Sequence, residues 1–449
     1  MKQYLQQKIE RWLARLAKKI IAKYNPQVIG ITGSIGKTST KEAIAHVLSA
    51  TGKRVRQNIK NYNNEIGLPL TIIGATAPGR SLTGWLGVWW KGRRLLTQTD
   101  PTYPEILVLE MGIDRPGDMD KLVAIVKPTI AVLTSIGRSH LEFFGKQEDL
   151  ALEKRKLVNA VPDDGWVILN HDDKLSLETR DKTKAHVLTY GFSANADYQA
   201  SDLTPITKSV VQDPEDLLLA KGGFILGANF KVQHAGKTIP FYLHRVLGRH
   251  QVLPILPAIA VGELFGMNIL AVAQQLQTYR PPKGRMNLVA GLKETLIIDD
   301  TYNAAPESTI AALKTLRDLK GGRKVAILGD MLELGSETEQ GHRQVGEVVA
   351  QCVDLLVTFG PRASFIADEA VRRGLGPEKI HVVQDEHRTI EEIVQNWLKP
   401  GDIILIKGSQ SARMEMVVKM LMAEPLKAGE LLVRQEPDWL AKPYKPLSL

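Results

Sequence analysis

The chain has 449 residues, 44% of them hydrophobic, enough for two or three domains with cores of their own. Lys and Arg number 58 against 49 Asp and Glu, and the resulting formal charge of +9 suits an anionic partner: nucleotide, phosphate, nucleic acid or lipid headgroup. A single cysteine, Cys352, excludes an intramolecular disulfide and a multi-cysteine metal cluster; with no apolar run near the ~20 residues of a membrane-spanning helix, the expected compartment is the cytoplasm.

Residues 1–23 set Leu5, Ile9, Trp12, Leu16 and Ile20 at helical spacing, with Lys2, Lys8, Arg11, Arg15, Lys18, Lys19 and Lys23 around them. This predicts a basic amphipathic helix, whose stripe either packs on the following domain, the commoner fate, or lies on a membrane surface. Pro26 ends it. Short apolar runs then alternate with helical stretches (28–32, 41–48, 106–109, 130–134), predicting a mostly parallel sheet covered on both faces. Residues 190–245 differ, with Gly-punctuated segments at 223–226 and 237–243 that predict an antiparallel subregion. The stretch RPPKG at 280–284 precedes a second strand series at 296–298, 325–328, 355–359 and 403–406. The expected organisation is α/β throughout. A helix at 1–27 leads into a central domain at 28–282 with a P-loop-type, mostly parallel sheet, followed by a Rossmann-like α/β domain at 283–449.

The segment VIGITGSIGKTST at 28–40 reads as strand, glycine turn and helix opening. Gly33, Ser34 and Gly36 let backbone N–H groups approach an anion, the helix N-terminus at Lys37, Thr38 and Ser39 adds positive potential, Lys37 can reach terminal phosphates, and the Thr38 hydroxyl can ligate Mg²⁺. Only Ser34 and Ile35 separate the glycines, so the loop is a shortened variant. A chance glycine turn is the alternative; the preceding strand and the GKT triplet favour a nucleotide. Glu110 ends the apolar run 106–109, where a carboxylate suits a metal at the carboxyl edge of a sheet. His140 follows the run 130–134; a lone histidine is more often structural. Lys154 lies in the mixed-charge stretch EDLALEKRKLV, where a solvated lysine is the ordinary reading.

Taken in order, GSIGKTST at 33–40, NYNNEIGLP at 61–69, LEMG at 109–112, SHLEFFG at 139–145, GRH at 248–250, GR at 284–285, DDTYNAAP at 299–306, GDMLELG at 329–335, His342 and KGS at 407–409 resemble the Mur ligases, on the branch that adds D-alanyl-D-alanine. The resemblance runs from residue 28 to about 422. It implies an ATP-dependent amide ligase of cell-wall precursor synthesis: ATP turns a substrate carboxylate into an acyl phosphate, and the amine of an amino acid or dipeptide displaces phosphate. It further implies two Mg²⁺ ions served by Thr38, Glu110 and His140, and a CO₂-derived carbamate on Lys154, which reverses the ordinary reading of that lysine. Asn63 and Asn64 fall near nucleotide and substrate, Arg285 at a hinge from which it reaches the γ-phosphate, and Asp300, Tyr302 and Asn303 in the segment that meets the nucleotide.

Four departures shape the expectations. The family begins with a UDP-binding domain, whereas only the basic helix precedes this loop, so a lipid-linked or other non-UDP acceptor is the second reading. Residues 75–105 form an apparent insertion in which Trp85, Trp89 and Trp90 sit beside Lys91, Arg93 and Arg94, so peripheral membrane contact through 1–23 and 82–95 is weighed against an ordinary core. The family's adenine-side asparagines are Gln251 and Pro254, and its Arg after KGS is Gln410, with Arg413 expected one turn on to take the same face. A reading of another class, a basic nucleotide-binding switch or nucleic-acid-associated ATPase, lacks any aromatic-basic nucleic-acid module, so no nucleic acid is expected.

Overall fold

The computed structural model describes residues 2–59, 62–79, 81–137, 141–206, 227–442 and 444–445. The chain divides into two compact units, one of residues 1–201, 231–241 and 253–279, the other of 202–230, 242–252 and 280–449.

In the first unit, strands β1 (Gln27–Thr32), β2 (Val55–Gln57), β3 (Ile106–Glu110), β4 (Ile130–Leu133), β5 (Trp166–Asn170) and β6 (His186–Gly191) lie in the order β2-β3-β1-β4-β5-β6, every pair parallel. Their residues are buried almost throughout, which is why they read as continuous apolar runs rather than alternations. The sheet continues through β7 (Tyr198–Ile206), β8 (Gly227–His234) and β9 (Lys237–His244). The expected antiparallel subregion is narrower than 190–245: β7 still pairs parallel with β6, through Tyr190–Tyr198 and Gly191–Gln199. The two-residue turn Ala235–Gly236, with φ of 47° and 75°, closes β8 on β9 as a hairpin. The segment 223–226 lies outside the described residues.

Helix α1 (Lys2–Tyr24) buries Leu13, Leu16, Ala17 and Ile20 in the same core as Leu107, Leu109 and Leu133 of the sheet. Stripping those side chains from the core would cost roughly 1.5–3 kcal/mol for each large one, so Leu16 and Ile20 of the stripe pack on the following domain, the commoner of the two fates. Arg11, Arg15, Lys18 and Lys19 face solvent.

The insertion proves to be a helix. After α2 (Lys37–Ser49) and α3 (Gly67–Ile73), α4 (Leu82–Thr97) contains three glycines, an unpromising composition that is offset at both ends. The Ser81 side chain accepts from the Gly84 N–H at 3.0 Å, while Lys23 donates to the carbonyls of Leu95 (2.8 Å), Leu96 (3.1 Å) and Gln98 (2.6 Å). A Cβ at Gly92 would overlap the Leu16 side chain, so this glycine lets α1 and α4 cross closely. Helices α5 (Asp118–Ile125), α6 (Leu141–Phe144) and α7 (Gln147–Asn159) follow.

The second unit holds a six-stranded sheet, β10 (Asn287–Gly291), β11 (Thr295–Asp300), β12 (Lys324–Gly329), β13 (Leu355–Phe359), β14 (Ile380–Val383) and β15 (Ile403–Lys407), ordered β10-β11-β15-β12-β13-β14. Only β10 is antiparallel to its neighbour. Separate apolar clusters cover its two faces, one including Leu313, Leu316 and Val345, the other Val394, Val417 and Leu421. This is the Rossmann-like architecture expected.

Candidate active site

Strand β1 pairs with β3 on one side and β4 on the other, so the chain order reverses there and a crevice opens at the carboxyl edge of an open parallel sheet. Register places Ile31 opposite Glu110 and Thr32 opposite Leu133. The glycine loop, the Glu110 carboxylate and the Thr134–Gly137 loop therefore converge at one spot.

The loop is tightly held. A Cβ at Gly33, whose φ is 150°, would overlap Thr134 Oγ1; Gly36, at φ 88°, caps α2 against the Pro254 ring. Backbone Ser34 donates to Ser135 O at 2.6 Å, and Thr134 Oγ1 donates to Ile35 O at 2.7 Å. Thr40 Oγ1 donates to Pro254 O at 2.8 Å. Pro254, read from sequence only as a missing asparagine, thus braces the phosphate loop. Lys37 Nζ bonds back to Gly33 O (2.8 Å) and Ser34 O (3.1 Å), and buried Ser39 gives its carbonyl to Tyr279.

Glu110 is nearly sealed from solvent and both its oxygens are used: Oε2 accepts from Thr38 Oγ1 and Oε1 from Asn63 Nδ2, each at 3.0 Å. Asn58 fixes the strand end, donating to Glu110 O and accepting from its N–H at 2.8 Å each. Lys154 is not the solvated lysine that its charged helix suggests. It is buried on α7 and donates to Gly33 O at 2.9 Å. Burial, then the nearby Lys37 charge, hold its amine well below the ordinary lysine range, against the pull of Asp114, Glu110 and Glu153. Lys37, Thr38, Glu110 and Lys154 are therefore brought together. Asn63 and Asp114 join them; Asn63 was visible in the asparagine motif, whereas Asp114 carried no spacing signal. Asn64 instead accepts from Ile66 and Gly67 N–H groups and caps α3. His140 lies outside the described residues.

Hard oxygen donors, the Thr38 hydroxyl and the Glu110 carboxylate, facing a glycine loop fit Mg²⁺, which takes one or two protein ligands and completes its shell with phosphate and water. No group of three or more His, Cys, Asp or Glu side chains placed to hold a metal occurs among the described residues.

In the second unit, register sets Asp300 opposite Lys407, and their side chains pair at 2.6 Å, both buried. Lys407 also donates to Asn303 O at 2.9 Å. Burial lowers the lysine's pKa and the Asp300 charge opposes that shift. Tyr302 N–H donates to Gly284 O at 3.0 Å, and the Arg285 guanidinium lies 4.1 Å from the Tyr302 ring centroid with its Nε buried and unbonded. Arg285, Asp300, Tyr302 and Asn303 thus form one cluster. Arg413 does not take the place left by Gln410: at φ 53° it turns into the protein and pairs with Glu415, which also receives Arg434.

Comparison with known proteins places this geometry. The Mur ligase middle domain matches residues 31–80 and 90–262, and the Mur ligase glutamate ligase domain matches 284–410. The UDP-N-acetylmuramoyl-tripeptide–D-alanyl-D-alanine ligase of Bacillus subtilis is 32% identical over 416 residues, 92% of this chain and 80% of its own length. The Escherichia coli ligase of the same name is 29% identical, covering 88% of this chain and 76% of that one. The MurF ligase of Thermotoga maritima, solved in complex with ADP, superposes with a TM-score of 0.73 at 26% identity, covering 92% and 83% of the two chains. Fold, ordered motifs and sequence agree: the chain belongs to the Mur ligase family.

Proposed function

We propose that this protein is an ATP-dependent ligase that joins a D-alanyl-D-alanine-like dipeptide to the carboxylate of a UDP-linked muropeptide through an acyl phosphate. The observation that carries the reading is the convergence of Lys37, Thr38, Glu110 and Lys154 on one glycine loop, together with relatives bearing that activity in their names.

Each residue has a task its surroundings suit. Gly33 and Gly36 expose N–H groups to the triphosphate, and Lys37, folded back on its loop, swings out to neutralise the terminal phosphates. Thr38 and Glu110 would hold Mg²⁺, whose charge would offset the negative charge of phosphate and acyl oxygens. Asn63 orients the Glu110 carboxylate. Lys154 is proposed to carry a carbamate: burial beside Gly33 O and the Lys37 charge favour the uncharged amine, which adds CO₂ with loss of a proton to place an anion beside Glu110. His140 is retained in the proposed set of metal ligands, and Arg285 is the proposed hydrogen-bond donor to an anion in its unit. The working domain division remains 28–282 and 283–449 after the leading helix.

A second reading keeps this chemistry with a lipid-linked acceptor; the uncovered aromatic face of α4 favours it. No helix among the described residues is long and apolar enough to cross a membrane, so such an acceptor would be met at a surface. The test is a mass-spectrometric assay with UDP-linked and lipid-linked muropeptides side by side. Amide, ADP and phosphate should form together and only when ATP, acceptor and dipeptide are all present. ATP turnover indifferent to both co-substrates would remove the ligase reading and restore the nucleotide-switch alternative.

A further inference from the structure

Of the apolar residues read as an interfacial candidate, most are used up by the core. Trp12 and Trp85 pack against it, as do Val88 and Leu95 on the inner face of α4. The opposite flank is left over. Leu82 (85% exposed), Leu86 (56%), Trp89 (37%) and Trp90 (62%) recur at four-, three- and one-residue steps, so one contiguous side of the helix is apolar and in water. Arg93 continues that flank with its guanidinium 5.5 Å from the Trp89 ring, and Arg94 is exposed one residue on. The helix carries no acid. Residues 81–89 also fall between the two stretches that match the Mur ligase middle domain, so Leu82, Leu86 and Trp89 lie outside the matched ligase framework and Trp90 stands at the first position of the second stretch.

We propose that the Leu82–Leu86–Trp89–Trp90 flank of α4 docks this protein on an anionic lipid surface. Tryptophan and arginine together suit the headgroup boundary, where an amphipathic ring finds both an apolar and a wet side and a guanidinium finds phosphate. Charge favours lipid over a second copy of this chain: the protein carries +9, α4 is purely basic, and exposed Arg11, Arg15, Lys18 and Lys19 of α1 add to the positive potential, so two copies would repel. Ile9, Trp12, Leu16 and Ile20 of α1 are engaged in the core, so the contact is assigned to α4. The docking does not depend on the ligase reading; where the acceptor is the lipid-linked one of the second reading, it brings the enzyme to its substrate.

The test uses the full chain with vesicles of phosphatidylcholine alone and with phosphatidylglycerol added. Wild type should co-sediment with the anionic vesicles, less so at high salt, and brominated lipid should quench its tryptophan emission. Leu86→Ser with Trp90→Ser should weaken partitioning by about tenfold, and Arg93→Gln with Arg94→Gln by about fivefold per charge on anionic vesicles only. Both variants should keep wild-type melting and wild-type turnover of a soluble acceptor. Absent wild-type binding, undiminished binding of the Leu86/Trp90 variant, or a concentration-dependent dimer abolished by that variant would overturn the proposal; none of these results touches the soluble ligase assay, which fails or succeeds separately.

Discussion

Replacing Glu110 by Gln separates the charge of this residue from its shape. The carboxylate accepts from two donors, Thr38 Oγ1 and Asn63 Nδ2, at 3.0 Å each. A glutamine keeps one acceptor and turns an NH₂ toward the other donor, a conflict relieved when the Asn63 amide flips to present its oxygen. The loss is then two charge-assisted hydrogen bonds downgraded to neutral ones, about 2–3 kcal/mol of stability. Turnover should fall as well, because the anion proposed to hold Mg²⁺ is gone: at least about 100-fold in kcat, equivalent to about 3 kcal/mol. Thermal melts and ligase kinetics across a Mg²⁺ titration read both, with the half-saturating Mg²⁺ concentration rising. A variant that melts lower but turns over with wild-type Mg²⁺ dependence would refute the metal-holding role. A collapse of the fold would refute the hydrogen-bond arithmetic.

Further outcomes follow from other sites. Lys154→Ala should abolish turnover, and short carboxylates such as acetate should restore part of it; rescue by amines instead would contradict the carbamate. Gly87 and Gly92 share one helix but have opposite surroundings: a Cβ meets nothing within 4 Å at Gly87 and overlaps Leu16 at Gly92. Gly87→Ala should therefore stabilise by about 1 kcal/mol and Gly92→Ala destabilise by about 2 kcal/mol, read by denaturant midpoints; equal effects would refute the α1–α4 crossing. His342 is fully buried, its Nδ1–H donating to Thr338 O and its Nε2 accepting from Met331 N–H, and burial lowers its pKa to about 4. The folded state then binds fewer protons than the unfolded chain, whose histidine titrates near 6.5. The contribution of His342 is complete above that pH and falls by about 3 kcal/mol as pH drops toward 4. Asp299, which burial raises to about 6, acts oppositely, being most favourable at acid pH and losing its contribution as pH rises to about 6. The acid limb of wild type minus His342→Gln isolates the histidine, and an identical limb in both proteins would contradict its neutral burial.

The parallel sheets were legible because their strands are buried on both faces and read as unbroken apolar runs; β13 coincides with its predicted bounds. The glycine loop was legible because phosphate chemistry fixes both residue types and spacing. Short or partly exposed strands such as β2 gave no such signal, and β7 mixes buried and exposed positions. Helix α4 was hidden by its glycines, and its C-terminal capping depends on Lys23, about seventy residues away in sequence. Lys154 shows the limit of local pattern: its neighbours are charged, and only the tertiary fold turns it inward to Gly33. Arg413 shows the same limit in reverse, since one positive φ at that position defeats the helical spacing that would have aimed it elsewhere.

The acyl phosphate is the centre of the account, and transfer of oxygen tests it most directly. With an acceptor labelled with ¹⁸O in the reacting carboxylate, phosphorylation followed by attack of the amine moves one labelled oxygen into inorganic phosphate, alongside unlabelled ADP. Mass spectrometry of the released phosphate should find one ¹⁸O per amide formed; unlabelled phosphate, or label carried into AMP with release of pyrophosphate, would contradict the mechanism.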